Sequence, residues 1–133
     1  MIEFTLLITA VLFGGMVLFS FGFAAFLFSA LPADTARALI RKAFPHFYLF
    51  VIGSAAVALL GSVLADGENT LAASLMAIVV ATTVYARQIL MPAINAATDV
   101  GDKSRFNRLH GFSVSITLAH IGMAAWALIL LAA

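Results

Sequence analysis

Four long apolar stretches constrain this chain more than any other feature of its sequence. They cover residues 4–31, 46–64, 70–90 and 105–131, and few charges interrupt them. A helix of about 20 apolar residues crosses the hydrocarbon core of a bilayer, where only helices and closed barrels satisfy their backbone groups. The sequence therefore predicts an all-α integral membrane protein, built as a bundle of four transmembrane helices in contact with the lipid bilayer.

The composition excludes several classes of function. Of 133 residues, 64% are hydrophobic and 10% are charged, whereas soluble domains carry about 25% charged residues. The four stretches fill most of the chain, so residues 1–133 are expected to form a single transmembrane domain. A net charge of +1 without a basic tail argues against a nucleic-acid partner, and the absence of cysteine excludes thiolate metal sites. No catalytic motif is present, so neither catalysis nor a cofactor is the first expectation.

The connections between the stretches carry helix-ending signals. Pro32 ends the first helix, residues 32–42 are typical of a short interfacial helix between helices 1 and 2, and Pro45 is expected to begin the second span. The polar turn at residues 65–69 makes helices 2 and 3 an antiparallel hairpin. Pro92 is expected to kink the third helix rather than end it, because good helical sequence continues after the proline.

The distribution of positive charge predicts the orientation. With four spans, every Lys and Arg falls on one face of the membrane, namely Arg37, Arg41, Lys42, Arg87, Lys103, Arg105 and Arg108. The opposite face has none. By the positive-inside rule the basic face is cytoplasmic, and both termini lie on the other side (N-out, C-out). A short chain of this type suits a bacterial cytoplasmic (inner) membrane.

Small residues recur along helix 2. Ser54, Ala58 and Ser62 stand four residues apart, and Gly61 lies beside them. Such a stripe lets another helix approach closely. It predicts either packing within one bundle or a homo-oligomer that associates through the stripe.

Polar residues near the cytoplasmic boundary form the first candidate site. A polar side chain inside lipid is costly and needs a reason. Residues from three helices fall at this level, and they predict a ligand-binding pocket lined by His46, Tyr48, Tyr85, Arg87, Asn95 and His110. The alternative is an interfacial belt whose side chains extend to the head groups. Without an acid partner on its own helix, Arg87 is expected to bind an anion, a head-group phosphate or carbonyls freed at a proline kink.

The three histidines suggest two further roles. His46 and His110 begin helices that run from the same face, so they are at similar depth and form a candidate metal or haem site. His120 lies near the midplane. It is a candidate proton relay, or it forms a hydrogen bond to a hydroxyl on another helix, such as Thr82, Thr83, Ser54 or Ser20.

Three functions therefore stay open. The first is a membrane protein that binds or transports a small solute, ion or lipid in the cytoplasmic-side pocket. The second is a haem- or metal-binding redox protein that uses the two boundary histidines. The third is a non-catalytic structural subunit whose small-residue stripe is the functional surface. The first is favoured because isolated intramembrane Arg and His residues mark functional sites by default.

Four short motifs resemble the transmembrane protein 205 family and its bacterial relatives of unknown function. They are Leu27-Phe28-Ser29-Ala30-Leu31-Pro32, Lys42-Ala43-Phe44-Pro45-His46-Phe47-Tyr48, Ala86-Arg87 with Pro92, and Leu109-His110-Gly111-Phe112-Ser113. The motifs occur in the family's order and cover nearly the whole chain. The resemblance implies a four-helix membrane fold and marks as family-defining Phe44, Pro45, Tyr48, Arg87, Pro92, His110 and Gly111. It implies no reaction, because the family has no settled activity.

The chain departs from that family in two places. The connection between helices 3 and 4 is shorter than in the vertebrate form. Thr5 stands where the resemblance leads us to expect a histidine. A site that requires a histidine on helix 1 is therefore not expected here.

Overall fold

Four long helices make up the computed structural model, which describes all residues from Met1 to Ala133. They are α1 (Ile2–Ala30), α2 (Ala33–Leu64), α3 (Thr70–Asp99) and α4 (Lys103–Ala132). Each is long and apolar enough to cross a membrane, and no strand is present. The predicted four-helix membrane bundle is confirmed.

Each helix packs against its neighbours in the chain, and α4 closes the bundle by packing against α1. The pairs α1 with α3 and α2 with α4 are therefore diagonal. The core along the bundle axis consists of fully buried apolar side chains, including Leu12, Met16, Met76, Val79 and Ala124. The surface that faces outward is also rich in large apolar residues, as expected for helices whose solvent is lipid.

Two tight turns set the helix ends. Gly67, in the α2–α3 turn, and Gly101, in the α3–α4 turn, both have positive φ angles that favour glycine. The Asp102 carboxylate caps α4 by accepting a hydrogen bond from the backbone N–H of Arg105 at 3.1 Å. Helices joined this closely must be antiparallel, so the hairpin prediction for helices 2 and 3 is confirmed.

The predicted break at Pro45 is wrong. Residues 33–64 form one continuous helix with Pro45 inside it, so the short interfacial helix is the first part of α2 rather than a separate element. A proline inside a helix costs about 3 kcal/mol, and α2 contacts neighbouring helices on both sides of Pro45 here. Before the proline, Arg41 binds Asp99 of α3; after it, Phe47 stacks on Phe19 of α1 at a centroid distance of 4.1 Å.

Pro92 does not end α3, as predicted, because the helix continues to Asp99. The turns that precede the proline, Ala86–Leu90, are wound as π-helix. A second π-helical segment, Leu18–Phe23, interrupts α1. Both segments lie toward the basic end of the bundle, and such segments are frequent at functional sites.

The small-residue stripe of α2 lies inside the bundle. Ser54, Ala58, Gly61 and Ser62 are all buried, and a Cβ added to Gly61 would collide with the Thr5 hydroxyl of α1. Packing within one bundle is therefore the observed use of the stripe. Within the single chain the stripe is occupied by the packing of the other helices, and a homo-oligomer stays a prediction.

Candidate functional site

A small cleft opens at the basic end of the bundle between α2, α3 and α4. Its volume is about 50 Å³. Eight side chains line it: Arg41, Phe44 and Tyr48 from α2, Met91, Ile94 and Asn95 from α3, and His110 and Ser113 from α4. Four of these side chains are hydrophobic and the other four are polar, and binding pockets usually combine the two kinds.

A hydrogen bond across the bundle connects two of the lining residues. The Tyr48 hydroxyl lies 3.3 Å from the Ser113 hydroxyl, and both side chains are buried. Either hydroxyl can donate. Because α2 and α4 are diagonal in the bundle, this bond joins helices that otherwise make little contact.

An ion pair between Arg41 and Asp99 joins α2 to α3 beside the cleft. The Arg41 guanidinium donates from Nη1 to Oδ1 at 2.7 Å and from Nη2 to Oδ2 at 3.0 Å. This is the bidentate geometry in which an arginine binds a planar oxyanion most strongly. Both side chains are about half exposed, so water and salt screen the pair.

Two further polar groups line the cleft. The His110 ring is exposed and stacks on Phe106 with centroids 5.3 Å apart and planes within 6° of parallel. Asn95, on α3, is partly buried. Both offer N–H donors to the cleft.

The charge of the lining is one-sided. No carboxylate lines the cleft, and each polar side chain in it carries at least one N–H or O–H donor. The Arg41 guanidinium is paired with the Asp99 carboxylate beside the cleft, so only the N–H groups that this ion pair does not use are free to bind a ligand. Such an arrangement favours a negatively charged group over a cation.

An aromatic cluster forms the wall of the cleft toward α1. Phe44 lines the cleft and packs edge-on against Phe19 at 5.4 Å, with Tyr48 at 5.6 Å on its other side. Phe19 belongs to the π-helical segment of α1. The π-helical segment thus places the Phe19 ring against Phe44, which lines the cleft.

Half of the predicted pocket residues reach the cleft. Tyr48, Asn95 and His110 line it, whereas His46, Tyr85 and Arg87 do not. His46 is exposed on α2. Tyr85 is exposed and meets Phe112 edge-on at 6.5 Å.

Arg87 forms hydrogen bonds within the chain. Its Nε donates to the Pro45 carbonyl at 3.3 Å, and its Nη1 donates to the Gln88 side-chain oxygen at 3.0 Å. The carbonyl that Arg87 contacts is that of Pro45 on α2, and not a carbonyl freed at Pro92 on its own helix, as was expected.

The histidines are in separate places. His110 lines the cleft and His46 does not, and no group of three or more His, Cys, Asp or Glu side chains converges anywhere in the molecule. A metal or haem site that uses His46 and His110 stays a prediction without a supporting contact.

His120 is buried and its Nε2 lies 2.6 Å from the Thr82 hydroxyl. Thr82 is also 2.7 Å from the Ile78 carbonyl, to which it donates. The Thr82 oxygen is then free to accept a hydrogen bond from the imidazole. This pairing with a hydroxyl on another helix was one of the two roles expected for His120, and a proton-relay role stays a prediction.

Sequence reasoning did not assign to the pocket the ion-pair partner Asp99 or five of the lining residues, namely Arg41, Phe44, Met91, Ile94 and Ser113. The sequence did contain a signal for the Arg41–Asp99 pair. Asp99 and Asp102 come after the third apolar stretch, on the same face of the membrane as the basic residues that precede the second stretch. The assignment of residues 32–42 to a separate interfacial helix removed Arg41 from consideration as a bundle residue.

Comparison with protein-family models gives a match to the domain of unknown function DUF4149 over residues 7–103. The chain belongs to this family. The matched region contains α1 to α3 and thus the α2 and α3 sides of the cleft, whereas His110 and Ser113 follow it. Comparisons with curated proteins and with solved structures find no match.

Proposed function

We propose that this member of the DUF4149 family binds a small anion in the cleft at its basic end. The observation that carries the proposal is the set of N–H and O–H donors that line the cleft with no carboxylate among them, while the Asp99 carboxylate beside the cleft pairs with Arg41. A guanidinium binds oxyanions through charge-assisted hydrogen bonds, which are about twice as strong as neutral ones. Asn95, His110 and Ser113 supply additional donors from two other helices.

The size of the cleft limits the ligand. One water needs about 10–15 Å³ on the same scale, and drug-sized ligands occupy pockets of about 300–1,000 Å³. A volume of about 50 Å³ therefore accommodates a small ion or one charged group of a larger molecule. This narrows the solute, ion or lipid of the sequence prediction to an anion.

Access is from one side. Below the Tyr48–Ser113 bond, the bundle axis is filled by fully buried side chains such as Val51, Val79 and Met76. Binding at the basic face is thus the function that this geometry supports, and transport across the membrane requires the bundle to open.

The proposal is tested by titration of detergent-purified protein with sodium chloride and with sodium phosphate, against a background of gluconate, an anion too large for the cleft. The readout is the ¹⁵N chemical shift of the His110 imidazole. We expect a saturable shift, and Arg41→Gln should weaken binding by about tenfold or more because it removes the charged donor.

The control is His46→Ala, which removes the other boundary histidine but leaves the cleft lining unchanged. It should titrate like the wild type. A linear, non-saturating response, or an equal loss of affinity in Arg41→Gln and His46→Ala, would contradict anion binding at the cleft.

The Asp99 carboxylate offers a second test, because it competes with any anion for the same guanidinium edge. Asp99→Asn keeps the shape but lowers the negative charge, so we expect anion affinity to rise several-fold. Unchanged or weaker binding in Asp99→Asn would show that the anion does not use Arg41.

We further place the protein in a bacterial inner membrane with the basic face in the cytoplasm. The asymmetry of Lys and Arg supports this orientation. A C-terminal alkaline phosphatase fusion should be active and a C-terminal fusion to green fluorescent protein should be dark. The reverse pattern would invert the orientation and put the cleft on the outer side.

The finer relationship to the transmembrane protein 205 family is also a proposal. Its support is that the second and fourth motifs line the cleft through Tyr48 and His110, and that the third motif contacts the second through the Arg87–Pro45 hydrogen bond. The redox and structural-subunit alternatives stay predictions, and an absorption spectrum of the purified protein tests the redox one.

A further inference from the structure

Arg87 lies outside the cleft, in the groove between α2 and α3, with part of its bonding capacity unused. A guanidinium carries five N–H groups. Arg87 donates one to the Pro45 carbonyl and one to Gln88, and it has no carboxylate partner. The side chain is only partly buried, so the remaining N–H groups are accessible to a ligand.

The depth of this guanidinium is that of the lipid head groups. At about 1.5 Å per residue, Arg87 lies about 25 Å from the outer end of α3, and Pro45 lies about 28 Å from the outer end of α2. The hydrocarbon core is about 30 Å thick. With the outer helix ends placed at one edge of that core, the Arg87–Pro45 contact lies within about 5 Å of the other edge, so the long Arg87 side chain can reach the head groups on the basic side.

Two exposed residues of α2 are near Pro45 in the sequence. Lys42, about one turn before Pro45, has no ion pair, and His46 follows Pro45 directly. The nearby acid on α3, Asp99, is already bound by Arg41. No carboxylate therefore neutralises Arg87.

We propose that this outer groove binds the phosphate of an anionic phospholipid, with the Arg87 guanidinium as the principal donor. The contacts to Pro45 and Gln88 fix the orientation of the guanidinium, so its free N–H edge is presented at phosphate depth. Basic pockets between transmembrane helices on the cytoplasmic side are a recognised site for such head groups. The site is separate from the cleft, and it does not depend on anion binding there.

The test measures lipid retention by native mass spectrometry after purification in mixed phosphatidylglycerol and phosphatidylcholine. We expect the wild type to retain phosphatidylglycerol preferentially. Arg87→Gln should lower that preference about fivefold or more, because it removes the charged donor that holds the phosphate in the groove. The matched control is Arg108→Gln, which removes an exposed arginine of α4 at the basic end of the bundle. It should leave the lipid preference unchanged.

Two further outcomes decide the proposal. Arg87→Lys keeps the charge and should retain most of the preference, because a lysine still binds phosphate as a point charge. Equal retention in wild type and Arg87→Gln would overturn the proposal. Loss of helix content or altered gel-filtration elution in both Arg87 variants would overturn it as well, since Arg87 would then be structural. Displacement of the lipid by inorganic phosphate would assign the groove to free phosphate instead of lipid.

Discussion

The half of the bundle near the chain termini and the half near the basic face are built differently. In the first, here called the outer half, regular helices meet through small side chains, and Gly61 of α2 lies directly against Thr5 of α1. In the second, here called the basic half, both π-helical segments and both helix-interior prolines occur. The cleft lies there too.

The difference follows from helix packing in lipid. Lipid is as apolar as the side chains it contacts, so helices associate through close van der Waals contact, which small residues permit. The cleft shares the basic half with the two π-helical segments, although none of its lining residues belongs to either segment. The outer half thus holds the bundle together, and the basic half has room for a ligand.

The largest effect is expected from Gly61→Val, which breaks the close contact in the outer half. A Cβ at this position meets the Thr5 side chain, which is fully buried. Overpacking of this kind costs about 1–3 kcal/mol. Thermal unfolding in detergent should show a melting temperature several degrees lower.

Gly53→Val is the matched control, on the same helix but with open space around its Cβ position. It should unfold within about a degree of the wild type. Similar losses in both variants would mean that valine in this helix, and not the contact with α1, sets the stability.

A smaller loss is expected from Thr82→Val at the border between the two halves. The substitution keeps the shape but removes the hydroxyl that His120 contacts at 2.6 Å. Interhelical hydrogen bonds in membranes contribute about 0.6 kcal/mol on average and up to about 1.7. The decrease should appear in thermal unfolding and not in anion titrations.

Thr98→Val serves as the control for that variant, because the Thr98 hydroxyl is exposed and bonds only to the Ile94 carbonyl of its own helix. Its melting temperature should match the wild type. If Thr82→Val were as stable as Thr98→Val, the contact between α3 and α4 through His120 would contribute nothing to stability.

The smallest change in stability, with a measurable change in binding, is expected from Tyr48→Phe. The Tyr48–Ser113 bond is long at 3.3 Å, so its loss should cost below about 1 kcal/mol. Removal of the hydroxyl also changes the floor of the cleft, so we expect anion affinity to fall a few-fold. Unaltered affinity would place the anion nearer the rim, beside Arg41.

The regular parts of this molecule were predictable from the sequence, and the irregular parts were not. Apolar stretches determine four spans because lipid allows few alternatives. Pro45 was misread because its effect depends on tertiary contacts of Arg41 and Phe47 that a local pattern does not contain. The cleft was predicted only in part. Depth alone identified three of its eight lining residues, Tyr48, Asn95 and His110, and it also selected residues on other faces of the same helices.

Hydrogen exchange in lipid nanodiscs, compared between chloride and gluconate, tests most directly whether the basic half binds the ligand. Chloride should slow exchange in residues 39–48, 91–99 and 106–113, which surround the cleft, and leave residues 54–62 and 65–76 of the outer half unchanged. Exchange that is identical in the two salts, or a change confined to the α2–α3 turn at the outer end, would contradict a ligand site in the basic half.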